Sequence, residues 1–313
     1  MKIVNVCVIA ALGLSMGLST GCSRNKQDAI LLANEAEKLR KGNKDEAIAK
    51  LEEATRLDPD NHQVWYKLAT LHEEKEAWPQ MADALQGAID ADERTPDDGT
   101  WATYQAKKGY ALEKQAQKNG RYEDAKAPYL KCIEVDENYA DCYHQLGNVY
   151  LWMDDEQNAL VYYTKAIEHA PDELRYYGPL ASLYLALNET KLALDVLNEA
   201  KTRGKPNDKE LWFIHTVLAD IYLNVVNKPD EAVKELEAAK AIDTGEDNAK
   251  KVETLFSLGL AYSTMTPIRK QDATDNLKGF YNQICKTPKE AEYKLQCKTA
   301  QTVLTKKLNA SLQ

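Results

Sequence analysis

The stretch from Tyr143 to Pro171, YHQLGNVYLWMDDEQNALVYYTKAIEHAP, decides the fold. Tyr143, Leu146, Gly147 and Tyr150 stand on one face of a helix, and Ala159, Tyr163 and Ala166 mark a second face after the turn at Asp154-Asp155-Glu156. Two amphipathic helices this close in sequence make a hairpin that cannot bury its apolar faces alone. Moving 34 residues along recovers the pattern, as Leu146, Gly147, Tyr150, Ala159, Tyr163 and Ala166 become Leu180, Ala181, Tyr184, Ala193, Leu197 and Ala200. The same offset carries Ala125, Tyr129 and Cys132 onto Ala159, Tyr163 and Ala166, and Ala47, Leu51 and Ala54 onto Met81, Leu85 and Ala88. Small Ala and Gly let paired helices approach closely, while Leu and Tyr supply the stripe for the next hairpin. Turn signals such as Asp58-Pro59, Ala170-Pro171-Asp172 and Lys228-Pro229-Asp230 separate the periodic blocks, and almost no alternating β-branched run competes.

These residues resemble the tetratricopeptide repeat (TPR), whose pattern is W-x2-L-G-x2-Y, then A-x3-F, an Ala and a closing Pro. Tyr143, Leu146, Gly147, Tyr150, Ala159, Tyr163, Ala166 and Pro171 match it throughout, and Trp65, Leu68, Ala69, Met81, Leu85 and Ala88 nearly as well. Gly42 to Pro59 reads as the second half of an N-terminal repeat whose first helix matches poorly, which suits a cap. In the third repeat the first helix is stretched, from near Trp101 to about Asn119. Later repeats run from Leu218, Ala219 and Tyr222 to Ala232, Leu236 and Ala239, and from Leu258, Gly259 and Tyr262 to Ala273 and Leu277, with lengthened turns. The resemblance implies an all-α, right-handed superhelical solenoid of seven repeats over 28–285, closed by an amphipathic capping helix within 286–313, from Pro288 to Leu312.

Upstream, Met1-Lys2 leads into an apolar run from Ile3 to Leu18, then Ser19-Thr20-Gly21-Cys22 and the polar Ser23-Arg24-Asn25-Lys26. The run falls short of the roughly 20 residues that span hydrocarbon, so it reads as a cleaved secretory signal over 1–21. Its end is similar to the lipobox of bacterial lipoproteins, with cleavage between Gly21 and Cys22 and lipidation of Cys22; Ser19 stands where that pattern has Leu. Several acyl chains on Cys22 would anchor the chain far more firmly than one myristoyl group. By the sorting pattern of enteric lipoproteins, Ser23 rather than Asp after the Cys implies the outer membrane, most simply facing the periplasm. Residues 22–27 then form a lipid anchor and short tether, of which the five residues Ser23 to Gln27 span at most roughly 18 Å when extended. Without lipidation, an ordinary signal peptide leaves a soluble periplasmic protein.

Of the six cysteines, Cys7 leaves with the signal and lipid consumes Cys22, so Cys132, Cys142, Cys285 and Cys297 remain in two close pairs. In an oxidising compartment, 132 with 142 and 285 with 297 close short loops, each contributing roughly 3 kcal/mol. The alternative is buried free thiols that replace Ala at helix contacts. Spacings of nine and eleven intervening residues are not those of zinc knuckles, and no metal site is expected.

The composition, 313 residues with net charge −9, 44% hydrophobic and 28% charged, fits a folded soluble body and excludes disorder and a polytopic membrane protein. An acidic balance argues against nucleic acid as partner, since that binding needs a basic face. His62, His72, His144, His169 and His215 show no ligand spacing. No nucleophile elbow, phosphate loop or EF-hand is present, and Asp154-Asp155-Glu156 reads as a solvated turn. Neither an enzyme nor a cofactor protein is expected.

The resemblance implies a concave groove lined by the first helix of each repeat. In the fourth and fifth repeats its residues are His144, Asn148, Leu151, Trp152, Arg175, Ser182 and Leu185. Trp152 points away from the core positions, either as an aromatic groove anchor or packed on the adjacent helix. The Lys/Asn/Arg carboxylate clamp of chaperone-binding TPR proteins is not reproduced. The layout is similar to TPR lipoproteins that pilot a secretin for type IV pili and to those of gliding-motility envelope complexes. The expected function is therefore a scaffold that binds envelope proteins through the groove and the membrane through lipid. A periplasmic module binding peptide or cell-wall fragments is the alternative.

Overall fold

The computed structural model describes residues 18–92, 100–205, 208–242 and 248–312. All regular elements among them are helical. They group into two compact units, residues 1–154 and 155–313.

The first unit holds α1 (Leu18–Leu39), α2 (Lys44–Leu57), α3 (His62–Glu74), α4 (Trp78–Asp92), α5 (Thr100–Asn119), α6 (Glu123–Val135) and α7 (Ala140–Trp152). Consecutive helices pack as α1/α2, α3/α4 and α5/α6 hairpins, each against the next. Asn43 and Asn61 start α2 and α3 by accepting from the backbone N–H of Glu46 and Val64, which satisfies donors a helix start leaves unpaired. The second unit holds α8 (Glu156–His169), α9 (Tyr177–Ala186), α10 (Thr190–Arg203), α11 (Lys209–Asp220), α12 (Pro229–Ala241), α13 (Asn248–Thr264), α14 (Lys270–Phe280) and α15 (Lys294–Thr302). In chain order α1/α2 through α13/α14 correspond to the seven expected repeats.

The second helix of each hairpin supplies the core. Ala47, Leu51 and Ala54 on α2 have counterparts in Met81, Leu85 and Ala88, in Ala125, Tyr129 and Cys132, in Ala159, Tyr163 and Ala166, in Ala193, Leu197 and Ala200, and in Ala232, Leu236 and Ala239. None of these side chains is more than 2% exposed. Burying them removes on the order of 2 kcal/mol of apolar exposure per large side chain. Position along the 34-residue period, more than residue type, therefore decides burial.

Insertions are absorbed in different ways. Gly147 precedes Ala159 by 12 residues but Gly109 precedes Ala125 by 16; the extra four are about one helical turn, and α5 runs 20 residues against 13 in α7. Between Ala219 and Ala232 one residue is extra. There α11 runs into a π turn, Ile221–Val225, closed by Val226 N–H donating to the Ile221 carbonyl at 2.9 Å. The period also appears in charge. Arg40 pairs with Glu74 and Lys107 with Glu73 in the first unit, and Lys201 with Glu235 in the second, each pair 34 residues apart.

Two local expectations change. Residues 23–27 lie inside α1 rather than in an extended tether, since Arg24, Lys26 and Gln27 are good helix formers and Arg24 stands one turn before Asp28, 4.0 Å from its carboxylate. The capping helix α15 begins at Lys294, not Pro288. Pro288 instead opens a short 3₁₀ turn, Pro288–Ala291, started by Thr287, whose hydroxyl accepts from Lys289 N–H. The apolar run up to residue 17, with Cys7, and the side chains of residues 18–23, Cys22 among them, lie outside what is described. Among the described residues no helix is long and apolar enough to cross a membrane.

Candidate functional site

Both cysteine pairs are bonded as expected. Cys132, at the position where other repeats carry Ala, bridges α6 to Cys142 on α7, and Cys285 ties the end of the last repeat to Cys297 on α15. All four are buried.

In the first unit α7 carries His144, Asn148 and Leu151 at i, i+4 and i+7, all half-buried, beside the core positions Tyr143 and Leu146. Asn148 donates to Gln145 Oε1 at 2.7 Å. Trp152 is 39% exposed and lies against Tyr122 from the α5–α6 turn, ring centroids 5.1 Å apart, so it packs on a neighbouring element while keeping an open face. In the second unit Ser182 is exposed and Leu185 half-buried on α9, and Arg175 stands exposed in the 3₁₀ turn Leu174–Tyr176, donating to the Tyr176 hydroxyl at 3.0 Å. The candidate groove residues thus fall into two sets on two units. Asp155 is a helix cap rather than a ligand, its carboxylate accepting from Asn158 N–H at 3.1 Å.

More of the first-helix surface is accessible than these residues suggest. A cavity of about 400 Å³ opens in the first unit, floored by Ala33, Ala36, Leu51 and Leu71 and bordered by Tyr66 and Arg40. Its floor is shallow on the α1 side, where Ala33 and Ala36 contribute only a methyl group each. In the second unit a cavity of about 210 Å³ lies between α11 and α13, lined by Leu223, Phe256 and Leu260 with Thr216, Asp220 and Asn224.

Two polar clusters were not legible in the motifs. On α5, Glu113 is buried and accepts from the Tyr129 hydroxyl at 3.0 Å; burial pushes its carboxyl above the ordinary glutamate value, against the lowering effect of that bond. Glu235 on α12 receives His215 Nδ1 at 2.6 Å and Lys201 Nζ at 2.7 Å. Burial pushes the Glu235 carboxyl up, but the bonds from His215 and Lys201 outweigh it and hold the group below its usual 4.5. A depressed folded-state value stabilises the fold above the unfolded value and loses that contribution as pH falls through the folded one. Urea midpoints should therefore fall below about pH 4.5, and Glu235→Gln should be less stable at pH 7 with a flatter acid limb. An acid limb unchanged in the variant would show that the cluster carries no such linkage.

This architecture defines a helical-repeat protein whose first helices leave side chains such as Asn148 and Ser182 partly or fully exposed. Residues 140–173 match the family model described as tetratricopeptide repeat, and residues 37–75 match another described as TPR repeat. The chain carries TPR repeats, a class that binds peptide or protein partners in its groove and is generally non-catalytic. It is similar to the C-terminal part of a TPR repeat-containing protein from Cytophaga hutchinsonii, at 17% identity over 83% of this chain and 98% of that one, with a TM-score of 0.61. PilF of Pseudomonas aeruginosa is 21% identical over 74% of this chain and 97% of its own, with a TM-score of 0.48. An alignment that covers 43% of this chain is 30% identical to superkiller complex protein 3 of Mus musculus, and spans only 9% of that protein.

Proposed function

We propose that the chain is a non-catalytic scaffold, anchored in the outer membrane through lipid on Cys22, that binds or helps assemble an envelope complex such as a secretin and type IV pilus or a gliding-motility machine. The observation that carries the scaffold reading is the division of labour within each hairpin: the second helices are consumed by the core, while α3, α5 and α7 keep polar and aromatic side chains such as Tyr66, Tyr110 and Asn148 partly open. Anchoring is supported by the lipobox resemblance around Cys22. The disulfides fit an oxidising compartment.

Affinity purification from cross-linked envelopes, comparing the native chain with Cys22→Ala, tests both parts. The expected result is a specific set of envelope proteins with the native bait, reduced in the variant, and a lipidated N-terminus by mass spectrometry. An unlipidated bait with unchanged partners would overturn the anchor. The cavity of about 400 Å³ in the first unit favours a second reading, a periplasmic module for peptides or cell-wall fragments. Co-purification of small molecules in place of proteins would favour it.

A further inference from the structure

Helix α5 stands out electrostatically. In a chain of net charge −9 it carries Lys107, Lys108, Lys114 and Lys118 against one acid, Glu113. That acid is withdrawn from the surface: Glu113 is 4% exposed and bonded to Tyr129. Thr103, Lys107, Tyr110, Lys114 and Lys118 follow 3.6-residue spacing and share one narrow face, flanked on one side by the buried Tyr104 and Ala111 and on the other by the buried Ala102, Gly109, Glu113 and Ala116. Along the axis Lys107 precedes Lys114 by about 10 Å, and Lys118 follows about 6 Å later.

The partners of these lysines differ. Lys107 is tied to Glu73 at 2.9 Å, which places this face beside α3. Lys114 lies 5.1 Å from the Tyr110 ring centroid. No ion pair holds Lys114 or Lys118 among the described residues. Tyr110 meets Trp78 edge-on at 5.8 Å, which adds an aromatic ledge beside the cations.

We propose that this face receives an extended acidic segment of a partner protein, with carboxylates on Lys114 and Lys118 and intervening apolar side chains on Tyr110 and Trp78. The proposal rests on the groove reading above and names the chemistry of its occupant. Charge complementarity selects an acid. Same-face side chains of an extended peptide recur about every 7 Å, close to the Lys114–Lys118 step, and the stripe from Lys107 spans about five extended residues. A nucleic acid fits less well, because a long polyanion would also meet the net negative charge of the rest of the chain.

The test is fluorescence anisotropy on the full mature chain with three labelled probes: a decapeptide alternating Glu and Leu, its Lys-Leu counterpart and a single-stranded DNA of equal charge. The expected result is preference for the Glu-Leu peptide, weakening with salt, and at least about tenfold weaker binding in Lys114→Glu/Lys118→Glu with an unchanged melting temperature. Equal affinity in the variant, or tighter binding of either other probe, would overturn the proposal. The cross-linked purification separates this from the groove reading itself. Partners lost with Lys114→Glu/Lys118→Glu support the acidic occupant. Partners kept there but lost with Asn148→Trp reject the acidic occupant and leave the groove standing, and partners kept in both reject the groove.

Discussion

Replacing Cys285 and Cys297 together by alanine is expected to destabilise the C-terminal end by about 3 kcal/mol, the loop-closure entropy returned to an unfolded chain whose bridged residues are 12 apart. The cap depends on that bridge more than its size suggests. It joins the core through a narrow stripe, Cys297, Ala300, Leu304 and Leu308, while Leu295 on the same helix is 74% exposed. Hydrogen exchange should show α15 and the π turn Val303–Lys307 losing protection before α11 or α12 in the variant, and reductant should do the same to the native chain. Uniform loss across the second unit would mean that the cap is not a separate local unit. The 132–142 bridge should matter to a similar extent, since it joins α6 to α7 across 10 residues.

Gly109→Ala is expected to cost about 3 kcal/mol, the upper end of overpacking penalties. A Cβ at this position would stand 2.7 Å from Cε1 of Tyr129. The ring cannot step aside: Tyr129 is 1% exposed and its hydroxyl is held by the buried Glu113 carboxyl. Urea unfolding should show a lower midpoint. In a Tyr129→Leu background, already weakened by stranding Glu113, the further cost of Gly109→Ala should shrink because the clash is gone. Equal costs in both backgrounds would rule out the ring contact as the cause. The turn of helix beyond Gly109 carries Tyr110 and Lys114, both half-buried, so the variant also tests the support of the face proposed above.

How much of this was readable beforehand differs from residue to residue. Ala159, Tyr163, Ala166 and their counterparts 34 residues away are core, as the repeat predicts, because the hairpin period forces the same geometry on each copy. The stretched first helix of the third repeat was also legible, and α5 spans Thr100–Asn119. Pro288 misled as a helix start because proline suits the first turn of a 3₁₀ segment equally well. The spacing of His144, Asn148 and Leu151 along one helix was legible in the repeat pattern, and they lie half-buried on α7, but the lysine-rich face of α5 was not. The insertion shifts its alignment to the pattern, and a Lys-rich helix looks like any solvated face until its one acid is found buried.

By itself, the sequence determined the helical class, the 34-residue hairpin and the identity of most core positions, while it left the cysteines open between two bridges and buried thiols, a choice the structure makes in favour of the bridges. The first three are local or periodic properties, carried by spacing along one chain. Only the tertiary structure decided that Glu113 faces Tyr129 rather than water, that His215 and Lys201 converge on Glu235, that Trp152 lies on Tyr122, and that alanines of α1 leave a cavity beside Leu51 and Leu71. Each is a meeting of side chains from different helices. Whether a Glu or Lys is buried, paired or free depends on which neighbour the packing brings within about 3 Å, and no periodicity within one helix encodes that.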